Sequence, residues 1–424
     1  MKPDLSGKKL LILGAGIVET TLVKRAQGYG IYVVVTDYNT DHRISPAKDI
    51  ADEYWDISWS DIDALEAKCR KERIDGVISG YSEFRVENNI KLCERLGFPC
   101  YINMDQLNIT RDKILFKDTC RKSGVPVIKE YTSVDDVDEF PVIVKPADRA
   151  GSIGVGIADN YSELVKAYTY AMEKSVCKKV IIEQYIQNKT KFDVYYAIIN
   201  GEITLLSSDD VLMAKANGRE KVVQSAWVLP SVYHDLYKDK ADPLLRKMIS
   251  NMGIKNGYIF FSGFADGTGD FRFFECGFRL CGGHLYHYFP KIGHVNNMDL
   301  LIFYALTGNA ECVREDICAG TKMKNVTVNL YSKAGKLTTI EGFDKLQTIP
   351  ECCFAMQHAY EGMVCTDDTA ILSKIGMAYF CHESAEKLAG DVDLMYRMIH
   401  VENEYGEDMI YDRINPQDIA QWWG

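Results

Sequence analysis

Two lysines, a loop of small residues, an acid at a strand end and a Glu-x-x-x-Arg run are the groups in this sequence with chemistry to offer. The stretch Phe140–Val155, FPVIVKPADRAGSIGV, alternates apolar residues up to a lysine, which predicts a buried strand delivering Lys145 to its end. The loop after it, Asp148–Val155, carries Ser152, Gly154 and little bulk. Backbone N–H groups of such a loop can converge on a phosphate, because glycine tolerates the dihedrals and the close approach. No Gly-Lys-Ser/Thr opens a helix here, so this is not a P-loop. Alone, the stretch reads equally well as a plain hairpin with a lysine at its edge. A second lysine, Lys113, sits on a helix expected over Thr110–Ser123, with Thr110 as its N-cap and Gly124-Val125-Pro126 as its stop. Lys117, one turn further, reads as part of a solvated basic face. The apolar strand VIIEQYI ends in Glu183-Gln184-Tyr185-Ile186. A hairpin around Asp266-Gly267-Thr268-Gly269-Asp270 delivers Glu275 into the run Glu275-Cys276-Gly277-Phe278-Arg279-Leu280-Cys281-Gly282-Gly283-His284.

The elements that must position these groups belong to a mixed α/β chain. Lys9–Leu13 is a buried strand running into Gly14-Ala15-Gly16, then a helix, Gly30 and a second strand Tyr32–Thr36, which is a parallel βαβ unit. The turn invites a dinucleotide, but Glu19 stands where GxGxxG has its third glycine, beside any pyrophosphate. A Rossmann-like domain that holds no nucleotide is the preferred reading. Glu83 lies at the carboxyl end of the strand Asp75–Ser79, where open α/β sheets place ligand groups. A helix follows from Ser82 to the stop Gly97-Phe98-Pro99. Phe192–Ile199 and Glu202–Ser207 flank Asn200-Gly201, a strong hairpin signal. Beyond Ala310 the strands Val326–Ser332, Lys336–Glu341 and Gly376–Phe380 and the helix Ser384–Ile399 form a small α+β module.

Composition narrows the partners. With 424 residues and 47% hydrophobic content the chain can fill several subdomain cores. A net charge of −11 argues against nucleic acid, so a phosphate site must be a local basic cluster. No apolar run is long enough to span a membrane, and MKPDLSGKK lacks the apolar core of a signal peptide. The 13 cysteines are scattered without zinc spacing, which predicts reduced thiols and a cytoplasmic protein.

Lys113, Lys145 with its loop, Glu183–Ile186, and Glu275 followed by Arg279 occur in an order that resembles the ATP-grasp superfamily of carboxylate–amine and carboxylate–thiol ligases. Within it the chain looks like the carbamoyl-phosphate synthase large subunit, the biotin carboxylases and the amino-acid ligases. The resemblance covers nearly the whole chain. It implies an ATP-grasp fold with a Rossmann-like pre-ATP-grasp domain over 1–105 and an ATP-grasp domain over 106–310, its first subdomain ending at 185. A carboxy-terminal module over 311–424 completes the division.

It further implies that Lys113 and Lys145 hold the ATP phosphates under the loop of Ser152 and Gly154. Glu183, Gln184, Tyr185 and Ile186 form the adenine hinge, and Asp193 takes the ribose, Lys191 standing at the usual acid position. Glu275 holds Mg²⁺, with Mn²⁺ as an alternative ion. The pattern departs at Gly277, where the family has a ligating asparagine, and near Ser262-Gly263, where it has another oxygen ligand. Asp266 or Asp270 from the hairpin, or water, is then expected to complete the shell. Arg279 faces the γ-phosphate, and Gly282, Gly283 and His284, with Glu83, border the substrate carboxylate. The implied reaction is ADP-forming: a small carboxylate becomes an acyl phosphate, and an amine or similar nucleophile displaces phosphate. A homodimer is compatible with the fold. Two rivals stand beside this reading, a catalytically weak ATP-binding scaffold and an NAD-dependent oxidoreductase.

Overall fold

The computed structural model describes residues 2–149, 153–187, 189–216, 219–316, 322–366 and 373–424. At the amino end β1 (Lys9–Leu13), β2 (Tyr32–Thr36), β3 (Glu53–Trp55) and β4 (Gly76–Ile78) pair in parallel in the order β3-β2-β1-β4. Strands β1, β2 and β4 are mostly buried apolar residues because both sheet faces are covered, whereas the edge strand β3 exposes Tyr54. Leu10 and Ile12 point into the large central core, whereas Leu11 and Leu13 pack on Leu65, Cys69, Leu92 and Cys93 of the helices Ile62–Glu72 and Glu83–Leu96.

The helix expected from Thr110 is in fact two, Met104–Arg111 and Lys113–Ser123, broken at Asp112. Asp112 accepts the N–H groups of Ile114 and Leu115 at 2.8 and 3.0 Å and so caps the second helix. Thr110 bonds back to the Gln106 carbonyl inside the first. The cap therefore puts Lys113 on the first turn of its helix.

A small antiparallel sheet follows, built of β5 (Glu130–Tyr131), β6 (Val142–Pro146), β7 (Gly156–Ala158) and β8 (Val180–Gln184) in the order β5-β8-β6-β7. Helix Tyr161–Lys174, capped by Asn160, covers it and closes a core of Val142, Val144, Leu164, Ala171 and Ile182.

The largest sheet has eight strands and is antiparallel. It contains β9 (Thr190–Ile199), β10 (Glu202–Ala216), β11 (Arg219–Leu229), β12 (Gly257–Ala265), β13 (Arg272–Gly277) and β14 (Lys324–Tyr331), then Lys374–His382 and Cys352–Gln357. Asn200 and Gly201, with φ of 52° and 82°, make the β9–β10 turn, which needs two left-handed residues. Strand β10 continues well past Ser207, where the sequence pattern stops. β14 joins the sheet by pairing with β11, while helix Ala385–Met398 closes a separate core beside it. Among the described residues no helix is long and apolar enough to cross a membrane.

Candidate active site

The small sheet and the Lys113 helix bring three lysines together. Lys145, on β6, forms an ion pair with Glu183 on the neighbouring strand β8. Lys117 pairs with the same carboxylate and with Glu130 at 2.9 Å. Glu130 and Glu183 face each other across β5 and β8, a like-charge pair that the Lys117 ammonium offsets. The expectation of a solvated Lys117 is thus corrected: it is wholly buried. Phe116, Lys117, Cys120 and Ser123 form the inward face of the helix, and only the two acids make a buried ammonium there tolerable. Burial pushes Lys117 down to about 8, and burial beside Lys117 and Lys113 pushes Lys145 down to about 7.

Lys113 donates to the Arg149 carbonyl at 2.9 Å, so it touches the loop that follows Lys145. Gly154 lies there at φ 77°, where a Cβ would meet Pro146 and Lys174 at 2.7 and 2.8 Å. Ser152, expected to bind phosphate, lies outside the described residues.

Next to the Glu183 end of β8 opens a cavity of about 450 Å³ lined by Gln184, Tyr185 and Ile186 together with Ile128, Gln187 and Arg272. The amides of Gln184 and Tyr185 bond to Lys129 and Pro141 carbonyls at 3.0 Å, which fixes the segment at the rim of both strands. The Glu183 side chain itself points away into the lysine pair.

The opposite wall is the large sheet. Ser262 on β12 is the direct partner of Glu275 on β13 and of Asp193 on β9, and Asp193 is the partner of Asp209 on β10. One sheet face therefore carries Glu275, Ser262, Asp193 and Asp209 in a row. Asp193 accepts from Trp227 Nε1 at 3.3 Å and lies 3.9 Å from Lys191 Nζ. It is buried in the sheet floor, not presented to an open ribose site. Asp209, also buried, accepts from the Tyr195 hydroxyl at 2.6 Å; burial beside Asp193 holds its carboxyl well above the usual range.

The metal expectation needs correction at the hairpin. Asp266 and Asp270 hold Lys189 at 2.5 and 2.8 Å. Asp270 stands five positions before Glu275, roughly 16 Å along extended chain, too far to share one ion. The two departures from the family pattern are closed sterically as well. A Cβ at Gly277 would stand 2.5 Å from the Phe260 ring, and one at Gly263 would stand 2.7 Å from the Arg272 carbonyl. Among the described residues no group of three or more His, Cys, Asp or Glu could hold a metal.

Arg279 is held by Glu83, with Nε and Nη2 at 2.6 and 2.5 Å from one carboxylate oxygen, and by the Leu280 carbonyl at 2.9 Å. Glu83 opens helix Glu83–Leu96, so its pair with Arg279 ties that helix to the segment after β13 and makes it more than a first-turn acid. A Cβ on Gly282 would meet nothing within 4 Å, whereas Gly283 lies near Cys281 Sγ. His284 is buried with φ 48°, its Nδ1 2.9 Å from the Tyr286 hydroxyl, which in turn accepts from Tyr81 at 2.9 Å. Burial and Lys374 nearby keep this imidazole neutral.

The amino-terminal glycine turn is filled from inside. An added Cβ on Gly14 would stand 1.9 Å from Arg85 Nη1, and Arg85 pairs with buried Glu19 at 2.6 Å. The space that a pyrophosphate needs above this turn belongs to that ion pair. Sequence reasoning missed Arg85 and the role of Lys117; for both, the partner is distant in the chain.

Comparisons with known proteins bear on the fold. Residues 115–216 match the family model described as D-ala D-ala ligase C-terminus. The chain is 27% identical over 262 residues to formate-dependent phosphoribosylglycinamide formyltransferase of Sulfolobus acidocaldarius, covering 58% of this chain and 64% of that one. It is 24% identical over 283 residues to the carbamoyl phosphate synthase large chain of Clostridium perfringens, covering 59% and 26% respectively. The match thus spans less than two thirds of either relative. Among solved structures, L-amino acid ligase from Bacillus licheniformis superposes with a TM-score of 0.77 at 17% identity, covering 94% of this chain and 99% of that one. Phosphoribosylglycinamide synthetase from Anaerococcus prevotii gives 0.73 at 17% identity, covering 94% and 100%. The biotin carboxylase domain of Hydrogenobacter thermophilus 2-oxoglutarate carboxylase, solved with MgADP and bicarbonate, gives 0.75 at 17% identity, covering 95% and 91%. Two lysines, Gly154 in the loop that follows one of them, a cavity beside Gln184–Ile186 and a strand glutamate followed by arginine stand in a fold shared over nearly the whole chain with these solved structures, the ATP-grasp fold.

Proposed function

We propose that the chain is an ATP-dependent, ADP-forming carboxylate–amine ligase, with the nucleotide lying between the small sheet and the large one. The observation that carries this reading is the convergence of Lys113, Lys117 and Lys145 on one spot beside the hinge cavity, in a chain of net charge −11. The adenine belongs in the cavity at Gln184–Ile186, and the phosphates run toward Lys145, Lys113 and the loop of Ser152 and Gly154.

Mg²⁺ or Mn²⁺ arriving with the nucleotide would neutralise phosphate charge and fix the γ-phosphate. The Glu275 carboxylate and Ser262 hydroxyl, direct cross-strand partners, suit a single ion that takes its other ligands from phosphate and water. They do not suit an ion enclosed by protein oxygens. Arg279 is placed to leave Glu83 for the γ-phosphate and then to hold the acyl phosphate, where its forked donors match the oxygens. A small carboxylate beside Gly282 and Gly283 attacks the γ-phosphorus and ADP departs. An amine then attacks the acyl carbon and phosphate leaves. Positioning and charge neutralisation supply the rate.

The described cysteines are all free, which suits a reducing cytoplasm. A homodimer is the assembly we favour, since one of the fold neighbours is described as a dimer. The second reading, a weak ATP-binding scaffold, is favoured by the sterically closed Gly263 and Gly277. ADP and phosphate release with pooled amino acids and small carboxylates separates the two. We expect release that requires both an acid and an amine. ATP binding without release under any pairing establishes the scaffold instead.

A further inference from the structure

The large sheet holds a lysine that neither its neighbours nor the family pattern explains. Lys191 lies on β9 with its ammonium buried and, among the described residues, with no hydrogen-bond acceptor. The nearest described carboxylate oxygen, Oδ1 of Asp193, is 3.9 Å away and, like Oδ1 of Asp209, takes no hydrogen bond from a described residue. A buried ammonium whose nearest described carboxylate lies 3.9 Å away is costly, because burial weakens its solvation and the pair is too long for a hydrogen bond. Its position supplies a reason. Lys191 Nζ lies 5.9 Å from the centre of the Phe274 ring, and Lys145 Nζ lies 5.5 Å from the same ring. The ammonium therefore faces the cleft that contains the phosphate lysine, from the opposite sheet. It stands two residues before Asp193, which shares a row with Ser262 and Glu275.

We propose that Lys191 is a phosphate-binding cation that takes over part of the charge neutralisation for which the closed Gly263 and Gly277 positions leave no metal ligands. This rests on the nucleotide reading above and deepens it. The tetra-anionic tail meets Lys145 and Lys113 from the small sheet and Lys191 from the large one. The metal, held on the protein side by Glu275 and Ser262, carries a smaller share. Asp193, 3.9 Å away, orients the ammonium, and Asp209 is the cross-strand partner of Asp193. A third cation within the cleft lets the chain bind a polyphosphate with little help from metal.

The test is calorimetric titration of the full chain with ADP, once with Mg²⁺ and once with EDTA. Wild type is expected to bind ADP in EDTA within about tenfold of its affinity in Mg²⁺. Lys191→Met should lose about ten- to hundredfold in EDTA, the scale of one charge-assisted hydrogen bond, and markedly less in Mg²⁺. Lys191→Arg should recover most of the EDTA affinity. Because Lys191→Met leaves two buried acids uncompensated, the double variant Lys191→Met/Asp193→Asn is the second measurement. It should restore thermal stability without restoring metal-free binding. If the double variant regains both, or if Lys191→Met binds metal-free ADP like wild type, Lys191 is only a counter-ion and the proposal fails. If wild type binds ADP with Mg²⁺ but not in EDTA, the proposal fails while the nucleotide reading stands. If it binds in neither condition, the nucleotide reading itself fails.

Discussion

Two strands in this molecule run into glycine-rich turns, and each turn taken by itself could cradle a phosphate. After β1 the turn Gly14-Ala15-Gly16 is roofed by Arg85, whose guanidinium stands where a side chain on Gly14 would begin, locked to buried Glu19. After β6 the loop 148–155 is met by Lys113 at the Arg149 carbonyl, with Lys145 and Lys117 on the Glu183 carboxylate behind it. In the first turn the cation is spent on an internal acid. In the second, cations outnumber what the local acids can settle, and two of them are held below their ordinary pKa. Glycine provides access in both places; the charge balance around the turn decides whether a phosphate has anything to bind.

The comparison breaks most severely at Lys117. Lys117→Met removes the one cation that Glu130 and Glu183 share, leaving each with a single partner, Arg121 and Lys145, and we expect a loss of about 3–5 kcal/mol of stability by chemical denaturation. The corresponding change at the other turn, Arg85→Met, strands only one buried acid and should cost less. Next comes chemistry. Glu275→Gln should reduce ATP turnover by about a hundredfold or more if Glu275 is, as proposed, the one charged side chain on the metal, while ADP affinity falls far less. Asp266→Asn and Asp270→Asn should leave turnover near wild type, and a matching loss in either would return the hairpin to the metal site.

Lys145→Ala should weaken ATP binding by about 1.5–3 kcal/mol in calorimetry with the fold intact, whereas Arg85→Ala should leave ATP affinity unchanged. The pH dependence is smaller still. Lys145 titrates at about 7 in the free protein, so above that pH its amine is mostly neutral and must gain a proton to hold phosphate. ATP affinity should therefore be flat below pH 7 and fall by up to about tenfold per unit above it, with proton uptake visible in buffers of different ionisation enthalpy. The smallest effect is expected at the first turn, where NAD and NADP at millimolar concentration should give no thermal shift. A shift there would mean that the Arg85–Glu19 pair opens.

Much of the architecture was legible in the sequence because its signals are local. Apolar strands ending in glycine marked the βαβ unit, and Asn200-Gly201 marked a hairpin with both residues left-handed. Lys113, Lys145, Glu275 and Arg279 could be singled out because each follows from its place on one element. Lys117 could not. An i, i+4 lysine pair looks the same whether the second lysine meets water or Glu130 and Glu183, which arrive 13 and 66 residues later in the chain. Strand β10 was read only to Ser207, since Ser208-Asp209-Asp210 suits a turn better than a buried strand. Distant partners overrule that preference. Tyr195 donates to one oxygen of Asp209, and Ser231 and Trp422 donate to Asp210. Asp266 and Asp270 were misjudged for a related reason, because nothing adjacent in sequence shows that Lys189 will occupy both.

The Phe260 ring beneath Gly277 has a consequence for how this sequence can change over generations. An asparagine at 277 would collide with that ring, and a smaller residue at 260 would leave a void beside Arg279, which lies 5.6 Å over the ring, with no ligand gained. Neither single substitution gains a ligand, so placing an asparagine at 277 calls for a change at 260 together with it. The pair acts as a ratchet. Selection on this site is channelled toward residues already pointing into the cleft.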